Sequence, residues 1–386
     1  MSTAVLAGPA RILLSIALAI VSLELVLRFF FKWIAPRFAP DSRIGELDQS
    51  MRKYSSRMGE MNWLDPRPHP FLQFTEIRWK ASGARGLGFR SLAVRGIPKP
   101  AGILRVACLG NSTTHDGYPE QMEEFLNQCG GGSRFQVLNF GIGWWASVHS
   151  MLNFVLTVRD CEPDFVVIHE NCNDEKYRGY AGMRGDYAHV ARPLNLWMYR
   201  DRLLYRFSLL YRLGCVLAAK RHPRIYYRPH IGVSMARGKT PDYVPEELGL
   251  FRRNIATICE LASADGIKVI IPTMPFSRVH RYTEFDETRF HPHLFGANAI
   301  LRDLAAEQDA ALVDLERMFL DQDHFFKDGF HLDEVGVSIK ALEIGKVILR
   351  SLELTPALDT HWREVEESEP SADAAPISRT ATRTPA

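Results

Sequence analysis

Three side chains can cleave an acyl ester when a serine hydroxyl attacks, an imidazole takes its proton and a carboxylate orients the imidazole. The serine placed for this chemistry is Ser112, in Gly110-Asn111-Ser112-Thr113-Thr114, directly after the apolar run Ile103–Leu109. That run is aliphatic, β-branched in part, and short enough for one buried strand. The following stretch, Tyr118–Leu126, has apolar residues at helical spacing, with Pro119 and Glu120 in its opening turn. A serine between a buried strand and a helix start stands at the carboxyl edge of a sheet, near amides that can receive negative charge. Taken alone, the same stretch reads as a turn with a serine or threonine cap.

The base must come from thirteen histidines. The spacing Asp-x-x-His occurs at Asp186/His189, Asp321/His324 and Asp328/His331. Position separates them: Asp328-Gly-Phe-His331 follows the last strand region and precedes Leu332–Leu342, a terminal helix. Residues three apart at a helix start project to one side, so Asp328 can hold one imidazole nitrogen while the other faces a serine. Negative charge developing on a carbonyl oxygen needs donors. The candidates are the amide of Ser112, backbone amides of the loop Gly141–Trp145, and the side-chain amide of Asn173.

The elements that must position these groups alternate. Strands are expected at Ile103–Leu109, Val137–Phe140, Phe165–Ile168, Gly266–Thr273 and Ala310–Leu315. Helices are expected at Tyr118–Leu126, around Met151–Leu156, at Phe251–Ala264 and at Ala297–Glu307. This rhythm predicts a parallel sheet with helices on both faces, whose site lies beyond the carboxyl ends of the strands. Each polar cluster named above falls at such an end.

These blocks resemble, in order, those of the SGNH (GDSL-type) hydrolases, over roughly residues 85–350. Gly110-Asn111-Ser112 resembles the nucleophile block, with Asn111 in place of the usual Asp. Asn139-Phe-Gly-Ile-Gly143-Trp-Trp-Ala-Ser147 resembles the glycine block; aligned without gaps, the oxyanion glycine falls on Trp144, and Gly143 fits only with one residue missing. Val166-Val-Ile-His-Glu-Asn-Cys-Asn173-Asp174 resembles the asparagine block and Asp328-Gly-Phe-His331 the last block. Gly88-Phe89-Arg90 and the Lys-Pro segment after it resemble the lead-in of membrane-anchored members. The resemblance implies a three-layer α/β/α domain with a parallel, flavodoxin-like sheet, and a serine esterase with Ser112, Asp328 and His331 as catalytic residues. Ser112, Gly143 and Asn173 form its oxyanion hole, and O-acyl esters of a small molecule, carbohydrate or lipid are its substrates. Two alternatives keep the same fold: transfer of the acyl group to an envelope polysaccharide, and a non-catalytic glycan-binding module on a membrane stalk.

The rest of the chain sets the context. Residues 1–38 are expected to form a membrane anchor: Ile12–Phe31 is apolar apart from Ser15, Ser22, Glu24 and Arg28, and is long enough to span a bilayer. Glu24 and Arg28, four apart, can pair, and Phe29–Trp33 suits an interface. A cleavable signal peptide, for which no small-residue cleavage site follows closely, and a buried core helix are the alternatives. Basic residues flanking the segment slightly favour a cytoplasmic domain; the margin is too small to fix orientation, and an extracytoplasmic catalytic domain is the expectation adopted.

Residues 39–100 are expected to pack as a lead-in on the main domain, 101–355, and 356–386 to form a disordered tail. Residues 176–245 interrupt the rhythm with a basic-aromatic insertion: from Lys176 to His230 there are twelve Lys or Arg against two acids, Asp186 and Asp201. Within it, Leu196–Leu217 has the period of an amphipathic helix. Overall, 47 basic against 45 acidic residues give no bias toward nucleic acid. Six cysteines without a C-x-x-C pair or zinc spacing call for no metal, and no cofactor is expected. Cys108 and Cys172 are read as buried free thiols.

Overall fold

The computed structural model describes residues 3–39, 42–45, 47–48, 51, 66–69, 71–76, 98–132, 134–175, 185–187, 208–221, 248–280 and 287–370. The Gly88-Phe89-Arg90 lead-in, His189 and most of the 176–245 insertion lie outside them.

The chain divides into two compact units, Met1–Phe74 with Ala191–Ala236, and Thr75–Val190 with Arg237–Ala386. The larger unit holds five parallel strands: β1 (Ile103–Gly110), β2 (Arg134–Asn139), β3 (Phe165–His169), β4 (Lys268–Pro272) and β5 (Ala311–Val313). Their order, β2-β1-β3-β4-β5, is the flavodoxin-like one. Alternation along β1 feeds two cores. Val106 and Cys108 join one cluster with the helices Tyr118–Cys129, Glu334–Arg350 and Thr360–Glu367; Ala107 and Leu109 join another with Gly249–Ala264 and Glu287–Glu307. A sheet covered on both faces needs such continuous apolar strands.

Register brings the site blocks together. Gly110 at the end of β1 lies beside His169 at the end of β3, and Cys108 beside Asn139 at the end of β2. The helix Glu334–Arg350 packs tightly on Tyr118–Cys129, where a side chain at Gly345 would bring its Cβ within 2.4 Å of Phe125. That contact seats the helix closely against its neighbour, and the loop carrying Asp328 and His331 leads into its first turn.

One expectation is corrected. Residues 356–370 are not a loose tail: Asp359 caps the helix Thr360–Glu367, and Trp362 and Val365, three apart, bury their side chains. Trp362 packs edge-on against Phe125 and donates its indole N–H to Gln128. Its large apolar area is reason enough to order this segment. Residues 371–386 lie outside those described.

In the smaller unit, the helix Thr3–Phe29 continues through Phe30–Ile34 and Ala35–Arg37. The span Arg11–Arg37 is long and apolar enough to cross a membrane, and its most apolar window is wholly unburied, so it is not a core helix. Glu24 pairs with Arg28 at 2.8 Å. Glu24 also accepts the amides of Leu209 and Leu210 at 2.7 and 2.9 Å, capping the helix Leu209–Arg221. This helix overlaps the amphipathic helix expected at 196–217 and runs on to Arg221; residues 196–207 are outside those described. The expected lead-in 39–100 is split between the units at Phe74.

Candidate functional site

Ser112 opens a one-turn helix, Ser112–His115, capped by Asn111, whose side-chain oxygen accepts the amide of Thr113. Among the described residues, the Ser112 amide has no hydrogen-bond acceptor, as expected of the first turn of a helix. Gly110 is required by close approach: a Cβ there would stand 2.1 Å from Thr114 Oγ1 and 2.6 Å from the His169 carbonyl. The turn therefore sits tightly over the sheet and presents Ser112 at its edge.

His331 Nε2 lies 2.8 Å from Ser112 Oγ, and His331 Nδ1 lies 2.7 Å from Asp328 Oδ2. The other two Asp-x-x-His pairs are not brought here. His324 stacks on Phe325, Asp321 faces Arg278 at 3.7 Å, and His189 lies outside the described residues. Asp328 and His331 share a side for a different reason than helical spacing. They sit in the loop before Asp333, the cap of Glu334–Arg350, and Asp328 Oδ1 accepts the amides of Phe330 and His331 at 3.0 and 2.8 Å. A short polar side chain that folds the following backbone onto itself is a common turn device. Burial pushes the Asp328 carboxyl up, but the hydrogen bond and charge of His331 and the two amides outweigh it, leaving the carboxyl below its ordinary value.

The loop after β2 carries the second block. Its left-handed backbone falls on Trp144, at φ 73°, and not on Gly143, which is not among the positive-φ glycines. A tryptophan held in a conformation that favours glycine marks a constrained position, and such positions cluster at functional sites. The loop is held on both sides. Ile142 donates its amide to Gly110, Asn173 donates its side-chain N–H to the Trp145 carbonyl at 2.8 Å, and Trp145 stacks on buried His149. Asn173 thus joins the third block to the second while retaining a second N–H to give.

Sequence reasoning missed the groups beneath these blocks. Glu170, fully buried, lies 3.1 Å from Asn111 Nδ2 and 2.5 Å from Ser150 Oγ. Burial first, and Asp174 second, push its carboxyl well above the ordinary value. This contact gives a physical reason for Asn111: an aspartate there would set two carboxyls against each other, whereas the amide donates. Asp174 accepts both the amide and the hydroxyl of Ser147, and Asn254 donates to Ser147 and Tyr187. Lys340 is buried under the serine turn and donates to the Thr113 carbonyl at 2.7 Å. Its signal was present in the sequence: it stands three residues after Val337 and four before Ile344, on the apolar stripe of its helix. Among the described residues, no group of three or more His, Cys, Asp or Glu could hold a metal ion. Cys108, Cys129, Cys161, Cys172 and Cys259 are free and buried.

The sequence matches the GDSL-like lipase/acylhydrolase family over residues 108–339, more than half of the chain. A search of curated protein sequences finds no match. Among solved structures, the chain is similar to a lipase/acylhydrolase from Enterococcus faecalis (15% identity, 66% of this chain and 100% of that one, TM-score 0.39). It is also similar to a GDSL-like lipase from Bacteroides thetaiotaomicron (16%, 78% and 98%, 0.37). A third is an acetylxylan esterase from Geobacillus stearothermophilus (13%, 65% and 95%, 0.39).

Proposed function

The chain belongs to the GDSL-like lipase/acylhydrolase family and is an ester hydrolase, and from that premise we propose that it cleaves O-acyl esters through a covalent intermediate on Ser112. The observation that carries this reading is the unbroken hydrogen-bond chain Asp328–His331–Ser112, at 2.7 and 2.8 Å. Ser112 Oγ attacks the ester carbonyl as its proton passes to His331 Nε2. His331 then returns that proton to the departing alcohol, leaving the acyl group on Ser112. Water, deprotonated by His331, attacks the acyl carbon, releases the acid and regenerates the serine. Asp328 holds the imidazole in one orientation and stabilises it while it is charged.

The oxyanion is received by the Ser112 amide, by an amide of the Gly143–Trp144 loop and by Asn173. Trp144 is the stronger loop candidate because it carries the left-handed backbone. Losing the Asn173 donor, as in Asn173→Ala, is expected to lower turnover by about 10²–10³. The substrate class is an acyl ester of a small molecule, glycan or lipid. The N-terminal helix is read as a retained single-pass anchor with the catalytic unit on the extracytoplasmic side. Protease digestion of sealed membrane vesicles of both orientations tests that placement; cleavage only from the cytoplasmic side contradicts it.

A panel of short- and long-chain esters, assayed with and without an added glycan acceptor, tests the reaction. Release of free acid that disappears in Ser112→Ala supports hydrolysis. Faster acylation of the glycan than of water would make the chain an acyltransferase, and glycan binding without turnover would make it a binding module.

A further inference from the structure

Lys340 is 2% exposed and sits beneath the turn that carries Ser112. Its ammonium donates to the Thr113 carbonyl at 2.7 Å and lies 4.4 Å from the centre of the Tyr118 ring, within reach of a cation–π contact. The helix it supports has a single turn, Ser112–His115, before Gly117, at φ 110°, redirects the chain. One turn of helix has little stability of its own, so its geometry depends on what grips it. Thr113 is gripped on every polar group: its amide and hydroxyl by Asn111, its hydroxyl also by His169 at 3.1 Å, and its carbonyl by Lys340. Ser112 is the residue immediately before Thr113 in the same turn.

We propose that protonated Lys340 is a positioning residue for the nucleophile, its charge-assisted hydrogen bond to Thr113 fixing the one-turn helix that aims Ser112 Oγ at His331. This rests on the reading of Ser112 as nucleophile. Lys340 touches no reacting atom; it acts through Thr113.

The surroundings make this grip sensitive to pH. Asp116 beyond the turn, the Cys108 thiol on β1, Tyr118 on its helix and His169 on β3 all face Lys340, while Glu120 and Glu123 act on Cys108. Burial and the lysine charge keep His169 neutral, and burial keeps Cys108 a thiol. Burial lowers the ammonium to about 7, Asp116 and Cys108 only partly opposing it. Above that pH the amine is neutral; it still donates to Thr113, but without the strength that charge adds.

The test is kcat and KM for a short-chain nitrophenyl ester, measured with the full-length protein in detergent from about pH 6 to pH 9.5. The wild type is expected to lose about fivefold in kcat as the ammonium deprotonates, with KM nearly constant, the difference between a charged and a neutral hydrogen bond. Lys340→Arg, which stays charged, is expected to remove that fall. Lys340→Met is expected to be low and to show no fall above about pH 7. A wild-type kcat that holds or rises from about pH 7 to pH 9.5 overturns the proposal without recourse to any variant. So does a folded Lys340→Met protein that keeps the wild-type fall. Ser112→Ala is run alongside: if it stays active, the nucleophile reading fails, whereas an inactive Ser112→Ala with a rising wild-type profile removes only the role of Lys340.

Discussion

Two carboxyls lie behind the same serine and are treated in opposite ways. Asp328 is partly open to solvent, faces His331 and two amides, and is held below its ordinary value despite its burial. Glu170 is fully enclosed, faces the amide of Asn111 and the hydroxyl of Ser150, and is pushed well above its ordinary value. The outer carboxyl is held toward its charged form beside His331, as the proposed mechanism requires of a group that stabilises an imidazolium. The inner one, pushed by burial toward its protonated form, braces the turn carrying Ser112 against the helix Ser147–Asn153 that follows the Trp144 loop. The two differ in both depth and partners: a partly open carboxyl beside an imidazole and two amides is held toward its charged form, and one sealed against an amide and a hydroxyl is pushed toward its neutral form.

The largest effect is expected from removing the outer charge. Asp328→Asn should lower kcat by about 10³–10⁴ with little change in folding, since the neutral side chain neither fixes the imidazole tautomer nor stabilises its charge. Steady-state kinetics with matched thermal melts would check it, and a loss confined to KM would count against it. A smaller effect is expected when the inner site is made to resemble the outer one. Asn111→Asp sets a second carboxyl against Glu170 and should destabilise the fold by about 1–3 kcal/mol. Urea denaturation should register this, and adding Glu170→Gln should restore most of it.

The smallest effects are in the pH dependence of stability, where the two carboxyls carry opposite signs. The folded value of Asp328 lies below the 3.8 of the unfolded chain, so its contribution is complete above 3.8 and is lost as pH falls through the folded value. The folded value of Glu170 lies above 4.5, so the folded state keeps a proton that the unfolded state releases, and stability falls as pH rises from 4.5 toward the folded value. Glu170→Gln, an isostere of the protonated form, should abolish that fall, and melting curves at stepped pH would show it. An unchanged slope would mean that Glu170 is charged in the folded protein.

The parts legible in the sequence were those with local signatures. The five strands announced themselves as short apolar runs, and their alternation with helices gave the sheet. Ser112, Asn173, Asp328 and His331 could be chosen because each follows such an element. The loop after β2 was harder, because its left-handed residue is Trp144, and a tryptophan gives no hint of that backbone beside two glycines. Glu170 is illegible as a site component, because its role arises from a contact across 59 positions of chain; Lys340 is legible only as a charge on an apolar stripe, because its partner Thr113 lies 227 positions away. The ordered segment 359–367 was passed over because its polar composition hid Trp362, one large side chain sufficient to dock it. The helix Leu209–Arg221 could be placed on an amphipathic stripe, but not against Glu24, which lies 185 residues earlier.

The central claim, that Ser112 is the nucleophile, is tested most directly by a fluorophosphonate probe on the native full-length protein, with mass spectrometry of the labelled peptide. The account predicts one equivalent of label on Ser112, absent in Ser112→Ala and reduced in step with activity in Asp328→Asn. Label that persists in folded Ser112→Ala, or ester hydrolysis that survives that substitution, would contradict it.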